Sequence, residues 1–405
     1  MGKCGNIALD IQTYHAGLHQ PTHPNVISFE VPWHGYHYYM AYTPYPYGNG
    51  FEENPCIAAS NDLIHWEKPS GLINPIATSE ELVCDELKDS HLLYRKDLDR
   101  LELWYLGRID GTLAEDAPLH CFRKVSNDGC NWSDYEVVYS FEKFKLVSPS
   151  VIYAGEYLFW GICHVKENTG LYFMRSEDGV HWSNLEKCDV PDAVLTDMWH
   201  GTVSFVEKQY HFVWVGNSGA NRDRIYYANS DDGYRFTVPT VIVNNDVGWE
   251  FLYRPCLLRN QNRWYCYYGV IRSDGKWMIS MSHGETLDKL RGISHEDLGE
   301  LSQPLDALIV ANHRLRLKQC FRKIVGYFTP KLMALMPLLV GLRILHVGPI
   351  TAWIIAVIGC TIGSAIWIDR KNPIWRGFIM GTSNACMAAF LAEILEKILQ
   401  VCFLM

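Results

Sequence analysis

One local pattern recurs along this chain, and no other feature limits its possible folds as strongly. Phe122 to Ser133 reads FRKVSNDGCNWS and Phe173 to Ser183 reads FMRSEDGVHWS. Ile57 to Trp66 keeps the form with Leu63 in place of the glycine, and Ile225 to Phe236 keeps it with Phe236 in place of the tryptophan. Trp277 to Gly284 is a faint fifth copy. The leading serines are Ser60, Ser126, Ser176, Ser230 and Ser282, a spacing of roughly 50 to 66 residues. Such a period implies a propeller or a solenoid.

In each copy an alternating apolar run reads as a strand, and Asp-Gly reads as a tight hairpin turn because glycine accepts positive φ. The aromatic three residues beyond the glycine is expected to start the next strand and fill the space between blades, as packing rather than as a site. Each copy extends backward into an aromatic strand: Tyr36 to Tyr42, Leu101 to Leu106, Tyr157 to Ile162, Tyr210 to Val215 and Arg263 to Val270. Before each lies a shorter strand, opening at His23-Pro24, Asp89, Ser148-Pro149, Trp199-His200 and Arg254-Pro255. The expectation is an all-β five-bladed β-propeller of four-stranded blades over residues 1–310, with Ile7 to Tyr14 supplying a strand that closes the ring.

Composition narrows the function classes. A net charge of -9 argues against nucleic-acid binding. The 13 cysteines, an odd number without a C-x-x-C pair, read as free buried thiols in a reducing compartment. The 13% aromatic content, with 23 Tyr and 14 Trp, suits both a β-rich fold and sugar recognition. The start of the chain reads neither as a signal peptide nor, with Asn6 where Ser or Thr is needed, as a myristoylation site.

Alternation of strand direction places the Ser-Asp-Gly turns on one rim and the openings of the first strands on the other. The second rim gathers polar residues from remote parts of the chain: His23, Asn25, Asp85, Asp89, His91, Ser148, Asp197, Trp199, His200, Glu250 and Arg254. The loop from Thr43 to Asn54 adds Tyr45 and Tyr47, which could stack on sugar faces. Carboxylates around one opening suit glycoside hydrolysis, where one protonates the leaving oxygen and another activates water or attacks the sugar. Asp89, Asp197 and Glu250 are the expected catalytic set, and the other residues the substrate contacts. No metal or cofactor is expected, a structural ion in the pore being allowed. The expected partner is a glycan or glycoconjugate, with no nucleic acid.

With five blades, Ser60 to Trp66 as a Ser-x-Asp-x-x-x-Trp strand, and Ser148 to Val151 as a Pro-led first strand, residues 20–290 resemble the five-bladed furanosidase-type glycosidases, the superfamily of glycoside hydrolase families 43, 32, 62 and 68. The resemblance implies a carbohydrate-active hydrolase. The catalytic set departs from it: His23 and Ser148 stand where family 43 has aspartates before the prolines of blades one and three. Trp199 and His200 stand where that family has its general-acid glutamate. Two readings follow. Either the carboxylates have moved, or the pore is a non-catalytic carbohydrate-binding or scaffold surface.

Beyond the propeller, residues 311–331 read as a basic amphipathic connector, rich in charge from Arg314 to Lys323. Residues 332–405 read as an α-helical membrane region. Ile350 to Ile368 is 19 residues without a charge, long enough to cross a bilayer. The segment from Gly377 to Met405, carrying Glu393, Glu396 and Lys397, is expected to lie at the interface or pack against its neighbours. Basic residues flanking a helical hairpin, among them Arg370, Lys371 and Arg376, place the propeller on the cytoplasmic side of the membrane.

Overall fold

The computed structural model describes residues 2–297, apart from residues 16, 83, 110–117, 142–145, 166–167 and 194 and the side chains of residues 82, 84–86 and 109. The described residues fall within one compact unit, Met1–Asp306. The connector and the membrane region fall outside the described residues. Among the described residues no helix is long and apolar enough to cross a membrane.

Alternating strands and turns fold into five antiparallel sheets of consecutive strands, each a blade. The innermost strands are Pro21–Trp33, Cys84–Arg95, Leu146–Tyr153, Met198–Val206 and Leu252–Asn260. Each touches the next, and the fifth touches the first, so the ring is closed. Five buried clusters sit one at each interface between blades. Trp104, Trp160 and Trp214, each fully buried, occupy the second strands of blades two, three and four. Truncating one such side chain to Ala costs about 3–5 kcal/mol, so these interfaces dominate the stability of the ring.

Three expectations need correction. Blade one has three strands in its sheet, the fourth reduced to a single bridge between Ala59 and Glu67. Ile7 to Tyr14 forms no strand. It runs along blade five, where the Leu9 amide donates to the Ile279 carbonyl and Ser280 Oγ to the Ile7 carbonyl. The inner strand of blade one, against that of blade five, closes the ring instead. The aromatics after the turns precede the fourth strands rather than starting them: Trp66 is buried, while Trp132 and Trp182 are half-buried against the cores. All eight described cysteines are free, and seven are buried.

The repeated motif is a self-contained hydrogen-bond unit. Ser126 Oγ accepts from the Gly129 amide at 2.9 Å, and Asp128 Oδ1 accepts from the amides of Cys130 and Asn131 at 2.8 and 2.7 Å. Ser176 with Asp178, Ser230 with Asp232, and Ser60 with Asp62 repeat the arrangement. Gly179, at φ +79°, shows why glycine belongs there, since a Cβ would meet Arg123 Nη1 at 2.7 Å and Tyr157 at 2.9 Å. In blade one Leu63 takes φ +72°, and its burial in the blade five–blade one core offsets the backbone strain.

Candidate active site

Every innermost strand carries a register shift near its start: between Thr22 and Asn25, Lys88 and His91, Val147 and Ser150, Met198 and His200, and Tyr253 and Cys256. An extra residue at a bulge re-aims a side chain and is common beside active sites. His23, Asp89 and Ser148 occupy three of the bulges with φ of 52°, 56° and 56°. Non-glycine residues hold such angles only where their surroundings compensate. The bulges turn His23, Asp89, Ser148, His200 and Arg254 toward one another.

The cluster is tight and buried. Asp89 Oδ1 lies 3.4 Å from His200 Nδ1, 3.4 Å from Arg254 Nη1 and 3.8 Å from His23 Nε2. All four side chains are no more than 5% exposed. One donor atom from each of His23, Asp89 and His200 falls within 4.8 Å of the others, an arrangement able to hold a metal ion. The outward nitrogens are fixed by partners. His23 Nδ1 lies 2.8 Å from Thr43 Oγ1 and 3.0 Å from Glu53 Oε1. His200 Nε2 lies 2.8 Å from the Tyr253 hydroxyl, and its Nδ1 lies 2.8 Å from Ser148 Oγ. Both Asp89 oxygens and His23 Nε2 lack hydrogen-bond partners though buried.

Electrostatics sharpen the picture. Burial lowers His23 to about 3 and His200 to about 4, outweighing the pull of Asp89, so both imidazoles are neutral at pH 7. Their contacts with carboxylates are therefore contacts of neutral rings rather than ion pairs. Burial alone would raise Asp89, but His200 and Arg254 together hold it well below the usual carboxylate range. Burial raises the Tyr253 hydroxyl well above 10, so it keeps its proton. Two neutral imidazoles beside one carboxylate form a donor set suited to a divalent transition metal, and a second partner on each outer nitrogen is what fixes such ligands. The sequence led to no expected metal ligand, and the geometry offers a candidate set.

The other expected site residues divide. Asn25 and His91 tie blades together. Asn25 Oδ1 accepts from the Leu92 amide at 2.7 Å, and His91 Nε2 donates to the Val151 carbonyl at 3.0 Å, each tying neighbouring inner strands. Tyr45 is half-buried, its ring 6.4 Å from His23 and 4.9 Å from Trp277, while Tyr47 is 59% exposed. Trp199 packs 4.9 Å from Tyr253 at the rim. The Asp85 side chain lies outside the described residues.

Two of the three expected catalytic carboxylates do not join the cluster. Asp197 precedes the blade-four bulge and accepts from Ser218 Oγ at 2.6 Å. Glu250 is exposed and precedes the inner strand of blade five, whose bulge presents Arg254 instead. A spacing argument finds the neighbourhood but not which residue of a bulged strand points inward. Glu53 and Tyr253 were missed. Both sat beside flagged features, Glu53 in the loop singled out for its aromatics and Tyr253 directly before Arg254.

No family model matches the chain. A curated relative, an A type blood N-acetyl-alpha-D-galactosamine deacetylase of Flavonifractor plautii, is 24% identical over 329 residues. The match covers 65% of this chain but 42% of that protein, so the chain spans less than half of the relative's length. Among solved structures, an N-acetylgalactosamine deacetylase from F. plautii in complex with blood group B trisaccharide is similar, with a TM-score of 0.58 at 19% identity, covering 70% of this chain and 94% of the other. A thermostable family-43 glycoside hydrolase is similar with a TM-score of 0.52 at 12% identity, covering 72% and 95%. Both likenesses show the fold, a five-bladed propeller.

Proposed function

We propose that this propeller is a carbohydrate-active hydrolase that removes the acyl group from an N-acylated amino sugar. His23, Asp89 and His200 would hold a divalent metal ion at its centre. The observation that carries the reading is the pair of buried neutral histidines flanking Asp89, each with its outer nitrogen held by a second side chain. A glycosidase needs a carboxylic acid of raised pKa to protonate the leaving oxygen. Asp89 is shifted the opposite way, and the other expected carboxylates lie outside the cluster. The relative named for N-acetylgalactosamine deacetylation supports amide rather than glycosidic hydrolysis.

When bound, the ion supplies Lewis acidity toward an acyl carbonyl. The chain's own groups do the rest. Glu53 accepts the Nδ1 proton of His23 and so leaves Nε2 as a lone-pair donor. Tyr253 holds His200 through Nε2, which turns Nδ1 toward Asp89 and the Ser148 hydroxyl. Arg254 compensates the buried charge of Asp89, and its Nη2 donates to the Pro149 carbonyl at 3.3 Å, which fixes it against blade three. Tyr45, Trp277, Tyr253 and Trp199 form an aromatic wall against which a sugar ring could stack.

The test incubates the full chain, supplemented with Zn²⁺ or Mn²⁺, with oligosaccharides ending in N-acetylgalactosamine or N-acetylglucosamine. The expected products are acetate and a sugar with a free amine, its glycosidic bonds intact. A new reducing end would replace this reading with glycoside hydrolysis, Asp89 and Glu53 being the buried carboxylates on either side of His23. Binding without either product would support a non-catalytic glycan-binding propeller. Residues 332–405 are proposed to tether the propeller to a bilayer on its cytoplasmic side. Removal of residues 324–405 should release it from the membrane fraction, and retention there would contradict the tether.

A further inference from the structure

Arg222 differs from five other arginines of the propeller in what holds its guanidinium. Arg95, Arg123, Arg235, Arg272 and Arg291 each lie within ion-pair reach of a carboxylate. Arg222 has no such partner among the described residues, and its Nε is buried without a hydrogen bond. Its guanidinium instead sits 3.6 Å from the Phe251 ring centre and 5.3 Å from that of Trp199. Two neighbouring acids are engaged elsewhere: Asp223 Oδ1 accepts from Asn245 Nδ2 at 2.9 Å, and Asp197 accepts from Ser218 Oγ.

The setting is firm. Arg222 belongs to the short turn Gly219–Asp223, where Asn221 Oδ1 accepts from the Tyr226 hydroxyl and Asn221 Nδ2 donates to the Leu195 carbonyl. The stack leads directly to the site. Trp199 contacts Tyr253, whose hydroxyl bonds His200, and Phe251 packs 5.6 Å from Trp277 on the same aromatic wall. A guanidinium whose face is taken by aromatic rings still offers its in-plane N–H groups, and these match the paired oxygens of a carboxylate, sulfate or phosphate.

We infer that Arg222, with Phe251 and Trp199, forms a subsite for a negatively charged substituent on the glycan, so that the substrate is an acidic sugar chain rather than a neutral one. This rests on the reading of the pore mouth as a glycan site. The stack holds the cation in place, and an oxyanion with two paired oxygens would accept from its in-plane N–H groups.

The test is calorimetric titration of the full chain with three matched probes: a neutral N-acetylgalactosamine-terminated trisaccharide, the same trisaccharide bearing a hexuronic acid, and the same bearing a 6-O-sulfate. At low salt at least one charged probe should bind about tenfold more tightly than the neutral one, and the preference should shrink as ionic strength rises. Which charged probe is preferred tells carboxylate from sulfate. Arg222→Gln should abolish the preference while leaving the neutral probe within about twofold. Arg222→Lys, which keeps the charge without the planar fork, should retain only part of it and serves if the glutamine variant fails to fold. Equal binding of neutral and charged probes by the wild type, or equal weakening of all three in Arg222→Gln, would overturn the subsite alone. Failure of every probe to bind would overturn the subsite together with the glycan reading beneath it.

Discussion

The two ends of this propeller are built from the same repeats, yet they follow opposite rules. At the turn end, four blades carry one hydrogen-bond unit almost unchanged, Ser Oγ and Asp Oδ1 capturing successive backbone amides. The serine and aspartate oxygens of the unit find their partners within a few residues. At the mouth, equivalent bulges on the inner strands carry a different side chain in each blade: His23, Asp89, Ser148, the Trp199-His200 pair and Arg254. Several of their polar atoms lack local partners and face one another across blades. Repetition marks the positions that hold the sheet together, and divergence at matched positions marks the chemistry. The same bulge that strains a backbone at φ near +55° is what brings groups remote in sequence to one point.

Substitutions at the two ends should therefore separate activity from stability. The largest effect is expected for Asp89→Asn, which removes the charge that His23, His200 and Arg254 surround. Hydrolysis should fall by at least about a thousandfold. Leaving Arg254 buried without its counter-charge should also cost on the order of 3–5 kcal/mol, seen as a lowered denaturation midpoint. Retention of activity would place the chemistry elsewhere.

A smaller and graded effect concerns pH. His23, His91 and His200 are held by burial at about 3, 3 and 4, below the value near 6.5 of an unfolded histidine. Their folded forms resist protonation, so the stability they contribute is present above about pH 6.5 and is lost as pH falls toward 4. Each adds a slope of up to about 1.4 kcal/mol per pH unit in that window. His91→Gln, outside the catalytic cluster, should flatten the stability profile by about one such slope and leave the sugar chemistry in place. An unchanged profile would show that His91 is not held neutral. The smallest effect is expected at the turn end. Ser126→Ala removes one buried acceptor and should cost about 1 kcal/mol, with turnover unchanged; a loss of turnover would break the contrast between the ends.

Much of this architecture was legible in the sequence because the repeats are local. A serine, an aspartate and a glycine within four residues determine their own hydrogen bonds, so five blades could be read from spacing alone. The mouth was legible only as a neighbourhood. His23, Asp89, Ser148, His200 and Arg254 were all named, since each opens an inner strand. Their grouping depends on which residue of a bulge turns inward, and that is settled by packing between blades. Asp197 and Glu250 fell on the wrong side of that choice by a few residues. Glu53 reaches the site from a loop whose path no periodicity encodes, and Tyr253 lies directly before the Arg254 that opens the strand.

The central claim is that His23, Asp89 and His200 form one metal-holding unit at the mouth. It is tested most directly by counting metal bound to the full chain after dialysis against limiting Zn²⁺ or Mn²⁺, in the wild type and in Asp89→Asn, His200→Ala, Glu53→Gln and Ser126→Ala. The account predicts one tightly held ion in the wild type and in Ser126→Ala, about 10–100-fold weaker binding in Glu53→Gln, and none in Asp89→Asn or His200→Ala. Equal metal content in all five proteins, or none in the wild type, would contradict it.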